Sequence, residues 1–204
     1  MEYSKEFKAA LSNFSPAEKD KLIFRLLKKD KLLSKKLYFE LIDPETTDNK
    51  RDTMEEIVEE KVVLASKYMS NQKYFLSIIR KISAEITEHV KITTDKFGEV
   101  SLNLLLINKI LDYNEDLARQ RFDNIYKLYL YIINKTVKAL ILTKKLDVDY
   151  WMEIDEHLDE LKGKILQNHY LSKLFSNNGI DMNWLTSDQI PENFDLIIKE
   201  IKTK

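Results

Sequence analysis

Apolar residues recur at three- and four-residue spacing along nearly the whole chain, which is the period of a helix face. Tyr3, Phe7, Ala10 and Leu11 mark a first helix over about residues 2–12. Ser15-Pro16-Ala17-Glu18 is a start signal, with a capping serine, proline at the first helical position and glutamate three residues after the cap. Leu22, Ile23, Leu26 and Leu27 then form one stripe. Asp30 caps a third helix, with Leu33, Leu37 and Leu41 expected to face inward. Residues 43–51 read as a polar loop, and Asp52 or Thr53 as the cap of a fourth helix. Met54, Ile57, Val58, Val62, Ala65, Tyr68 and Met69 continue at helical spacing. Tyr74, Phe75, Ile78, Ile79, Ile82, Ile86 and Val90 resume it after a weak interruption at Ser70-Asn71-Gln72. Either one helix of some forty residues runs here, or two antiparallel helices fold back near residue 72; the hairpin is favoured because such long helices are uncommon in globular domains.

Residues 93–98 read as a loop and Val100 to Tyr113 as a helix. A further helix runs from Glu115 to about Lys145, and its apolar second half, Ile125 to Leu142, is expected at the centre of a bundle. An acidic helix starts at Asp147 or Asp149 and is expected to run past Gly163 towards Phe175, with Gly163 marking a kink or a close crossing. Asn177-Asn178-Gly179 is a stop signal, and Pro191 opens a last helix. Only three glycines and three prolines interrupt 204 residues, too few for sheets joined by tight turns. The pattern predicts an all-α protein, a multi-helix bundle or irregular array of about eight to ten helices. Residues 1–204 read as one domain, with 1–42 a short-helix opening and 52–204 the main bundle.

Charge is balanced, with 33 basic and 34 acidic residues, so no global attraction to nucleic acid or membrane follows. Cysteine is absent, which excludes disulfides and thiolate chemistry. The N-terminal residues are polar, with no signal-peptide core, and no apolar run is long enough to span a bilayer. A cytoplasmic location without membrane contact is expected. Charge is distributed unevenly, however. Residues 16–36 hold eight basic groups (Lys19, Lys21, Arg25, Lys28, Lys29, Lys31, Lys35, Lys36) against three acidic ones. Residues 147–160 hold seven acidic groups and no lysine or arginine. The basic cluster could contact nucleic-acid phosphates, but no aromatic platform accompanies it, so nucleic acid is the less favoured partner. The acidic segment could attract a basic partner, or answer the basic face within a homodimer.

Two near-identical segments carry two of the three histidines: Glu85-Ile86-Thr87-Glu88-His89 and Glu153-Ile154-Asp155-Glu156-His157. Glu and His four apart share a helix face, but the di-iron bundles use a spacing of three, and surface Glu–His pairs are the preferred reading. A carboxylate quartet is the other candidate. If the chain folds back near residue 72, Glu56 lies opposite Glu88 and Glu59 opposite Glu85, a set that would suit Mg²⁺ and phosphate chemistry. No phosphate-binding loop, dinucleotide motif, nucleophile elbow or zinc-protease motif is present.

The quartet resembles the acidic signature of the all-α nucleotide pyrophosphohydrolases, which include dimeric dUTPases; glutamate stands at 88 where that family has aspartate. Phe14 to Leu22, Glu88 to Lys96 and Asn178 to Leu185 together resemble a family of all-helical Bacteroidota-type proteins of uncharacterised activity. Some of its members carry a deoxyuridine-triphosphate nucleotidohydrolase label. The resemblance implies no catalytic residues to carry over. The favoured expectation is a helical interaction or scaffold protein, binding a protein partner or itself and needing no cofactor. The alternatives are a Mg²⁺-dependent, dUTPase-like pyrophosphohydrolase using Glu56, Glu59, Glu85 and Glu88, and a nucleic-acid-binding helical protein.

Overall fold

The computed structural model describes residues 2–114, 117 and 121–203. Among these there is no strand and there are ten α-helices, so the fold class is all-α. The chain divides into two units, Met1–Pro44 with Lys91–Thr93, and Glu45–Val90 with Thr94–Lys204.

The first unit holds α1 (Lys5–Ser12), α2 (Pro16–Lys29) and α3 (Lys31–Leu41). Ser4 caps α1, which starts later than the expected residue 2, and the caps of α2 and α3 are those the sequence predicts. The Ser15 hydroxyl accepts from the Glu18 amide while the Glu18 carboxylate accepts from the Ser15 amide, and Asp30 accepts from the Leu33 amide. These bonds satisfy amides that a helix start leaves without partners. None of the three helices contains a buried residue. The expectation that Leu33 and Leu41 face inward is therefore corrected: Leu33 is exposed and Leu41 is 76% exposed.

The second unit holds α4 (Thr47–Ser66), α5 (Gln72–Thr93) up to Val90, α6 (Lys96–Asp112), α7 (Phe122–Thr143), α8 (Trp151–Gln167), α9 (His169–Asn177) and α10 (Phe194–Thr203). The chain does fold back between α4 and α5. Asn71 caps α5 by accepting from the Tyr74 amide, and the Tyr68 and Tyr74 rings meet edge to face across the turn. Helix α4 begins earlier than expected, because Thr46 caps it by accepting from the Asn49 amide. Most of the supposed polar loop is its first turns.

Helix α6, and not α7, is the centre. It packs on α4, α7 and α8, and is buried on nearly every side. Its run Val100 to Ile107 carries no charge, and a helix apolar all round has no face to give to water. The expected loop at 93–98 shrinks to Thr94, in the left-handed region at φ 57°, and the cap Asp95. The Glu115 start expected for the next helix lies outside the described residues. Asn168 splits the expected acidic helix in two: buried, it accepts from the Leu171 amide to cap α9 and is hydrogen-bonded to the Tyr129 hydroxyl. Gly163 meets no close crossing, since nothing lies within 4 Å of where a Cβ would stand. Gly179, at φ 69°, ends α9 as its sequence predicts.

Candidate functional site

On α4 the core stripe is Met54, Val58, Val62 and Ala65. Glu59 comes one residue after Val58, which rotates it about 100° round the helix towards α6. There it accepts from Lys109 Nζ at 2.8 Å and the Tyr113 hydroxyl at 2.7 Å. These two donors hold the Glu59 carboxyl below its usual range. Glu85 instead pairs with Lys61 across the α4–α5 hairpin. Glu56 and Glu88 are exposed. The turn that the quartet needs exists, but the four carboxylates are not gathered, because each of the two inner ones has its own lysine. Among the described residues, no group of three or more His, Asp or Glu is placed to hold a metal ion. The residues present therefore do not fit Mg²⁺ as a shared ligand.

The Glu/His pairs also have separate surroundings. His157 is partly buried, and burial lowers its pKa against the pull of Glu160, Glu156 and Glu153. Its backbone carbonyl accepts from Asn108 of α6 at 3.0 Å, which places this part of α8 on the core. Burial likewise lowers His89. Both histidines are sunk further than the surface pairing expected for them.

Three polar sites were not singled out by sequence reasoning. The first centres on Asp95. Its carboxylate accepts from the Gly98 amide at 2.8 Å, capping α6, and from Arg51 Nε at 2.7 Å. Burial works against the Arg51 charge, but Asp95 and then Asp48 hold the guanidinium above its ordinary value. The guanidinium also lies 4.7 Å from the Phe97 ring centre. The second is Lys135 in the apolar half of α7, donating to Ser83 Oγ and, at 2.9 Å, to Asn103 Oδ1. Burial, with Lys138 nearby, pushes its amine down to about 8. A lysine amid Ile132, Ile133 and Val137 is its signal in the sequence. The third is a cleft of about 880 Å³ by the first turns of α5 and α7, lined in part by Asn71, Lys73, Leu76, Arg80, Asp123 and Lys127.

The surface carries two regions of opposite sign, each with exposed apolar side chains. On α2, Ile23, Phe24 and Leu26 are about half exposed or more, with Phe24 at 62%. Lys21, Arg25, Lys28 and Lys29 stand exposed among them, as do Lys19 and Lys35; Lys36 pairs with Glu40. The acidic segment is similarly mixed. Val148 is 63% and Met152 76% exposed, with Asp147, Asp149, Glu153, Glu156 and Asp159 exposed around them. Asp155 alone turns away, accepting from the Ser187 amide and hydroxyl at 2.7 Å. No helix among the described residues is long and apolar enough to cross a membrane.

No protein-family model, no curated protein and no solved structure matches this chain.

Proposed function

We propose that this is a cytoplasmic helical interaction protein that binds a second copy of itself head to tail. In this reading the basic, apolar face of α2 on one molecule docks on the acidic, apolar segment 147–160 of another. The observation that carries the proposal is the complete lack of buried residues in α1, α2 and α3, although their apolar residues follow helical stripes. Charge complementarity selects the occupant. Two α2 faces would repel each other, whereas Lys21, Arg25 and Lys28 meet opposite charge around Met152. Such a contact joins unlike surfaces, so it extends into chains unless the geometry closes a ring.

The test is mass against concentration by light scattering. The expected result is growth above the 24.2 kDa monomer that weakens with added salt. A monomer persisting at about 1 mM, where even a contact worth about 4 kcal/mol is half populated, refutes the proposal. The other readings have outcomes of their own. Mg²⁺-dependent turnover of dUTP by the purified protein would put nucleotide hydrolysis in its place. Salt-sensitive DNA or RNA binding lost with Lys19 to Lys36 would favour nucleic acid.

A further inference from the structure

We infer that the cleft by the first turns of α5 and α7 is a binding site for a small organic phosphate. This does not rest on self-association; the cleft lies on other residues. Its volume of about 880 Å³ falls in the range of small-molecule sites. Three cations line it: Lys73 and Arg80 on α5, and Lys127 on α7. Lys73 and Arg80 are seven apart with Leu76 between them, so one helix face supplies all three residues.

The ion pairing in this unit gives the cleft its meaning. Lys61, Lys109, Lys138, Lys144 and Lys164 each hold a carboxylate. Among the described residues, Lys73, Arg80 and Lys127 enter no ion pair. Among the described lining residues, only Asp123 bears negative charge. A concave surface whose described lining carries a positive excess focuses its field on the space in front of it. The positive ends of two 22-residue helices add to that field, and the α7 cap residue Arg121 makes no side-chain capping bond. Arginine with lysine is the donor set that phosphate takes, and Ser70 and Asn71 add neutral polar groups to the lining. Leu76 and Leu128, both almost wholly buried, give the cleft an apolar floor. Charge on the walls and hydrocarbon beneath suit a phosphate ester with a flat apolar group, and suit free phosphate less.

Calorimetric titration of the full chain with ADP and with inorganic pyrophosphate, in metal-free buffer, tests this. The expected result is saturable 1:1 binding, tighter for ADP than for pyrophosphate. Arg80→Gln and Lys127→Gln should each weaken it by about tenfold, one charge-assisted contact apiece. Asp123→Asn should tighten it, and Lys21→Gln with Lys28→Gln on α2 should leave it unchanged. Thermal melts of all variants exclude unfolding as the cause. The inference is overturned if neither compound binds saturably at millimolar concentration. It is also overturned if the α2 variant loses binding as much as Arg80→Gln does, or if pyrophosphate binds as tightly as ADP.

Discussion

Gly98→Ala should destabilise this protein although it replaces glycine inside a helix, where alanine ordinarily helps. Gly98 is the third residue of α6, and its amide is the one that Asp95 caps. A Cβ there would stand 2.2 Å from Asp95 Oδ2, 2.7 Å from Asp95 Cγ and 3.2 Å from Arg51 Nε. The carboxylate must move. It has little room, because the Asp95 side chain is 4% exposed and is held by Arg51 at 2.7 Å. Displacing it loses a cap worth about 1 kcal/mol. It also weakens a hydrogen bond between charged groups worth about 1.5–3 kcal/mol. Against this, alanine for glycine in a helix gains about 1 kcal/mol. The balance is a loss of about 2 kcal/mol. Gly163→Ala is the matched control, with open space where its Cβ would go, and should gain about 0.5–1 kcal/mol. Urea denaturation measures both. In an Asp95→Ala background the obstacle is gone, so Gly98→Ala should turn neutral or stabilising. Equal stabilisation by the two alanine substitutions would refute the reasoning, as would a Gly98→Ala loss that persists without Asp95.

Two predictions concern pH. The Lys135 amine is held at about 8 in the fold, against about 10.4 in an unfolded chain. Between those values the unfolded chain holds more protons, so stability rises with pH by up to about 1.4 kcal/mol per unit. The penalty is fully present below pH 8. Lys135→Met should abolish this rise in denaturation curves at pH 8 and 10; an unchanged slope contradicts the assignment. For His157, burial lowers the folded pKa below the ordinary value, so stability falls as pH drops through about 6.5 and the unfolded chain takes up protons first. His157→Gln should flatten the loss between pH 7 and 5, read by the same denaturation series.

Helical periodicity and capping chemistry made most of the fold legible. The all-α class, the Ser15 and Asp30 caps, the break at Ser70-Asn71-Gln72 and the stop at Gly179 all come from local rules. Two misjudged boundaries have, beside a cap, a tertiary partner out of view of the local sequence. Thr46 starts α4 in a segment that reads as a loop, and this helix delivers Arg51 to Asp95, forty-four residues away in the chain. Asn168 caps α9 from a buried position that the Tyr129 hydroxyl makes tolerable. The quartet shows the limit of spacing arguments. Its pairing presupposes a hairpin at residue 72, which the structure has, but spacing says nothing of rotation about each helix axis. Rotation gives Glu59 to Lys109 on α6 and leaves Glu85 to Lys61. Burial in α1 to α3 was the least legible property. A stripe such as Leu22, Ile23, Leu26 and Leu27 announces an apolar face, whatever it is that covers it.

Mixing two surface variants asks directly whether that covering is a second copy. Phe24→Ser, Arg25→Gln and Lys28→Gln together remove the basic, apolar surface of α2 and leave the acidic segment whole. Met152→Ser, Glu153→Gln and Glu156→Gln do the reverse. All six side chains are exposed, so both variants should fold as the parent does. Light scattering should find each variant monomeric alone. An equimolar mixture should form a 1:1 dimer that grows no further, because each molecule then has one working surface. If the mixture stays monomeric while the parent assembles, or if either variant alone assembles like the parent, the head-to-tail account is contradicted.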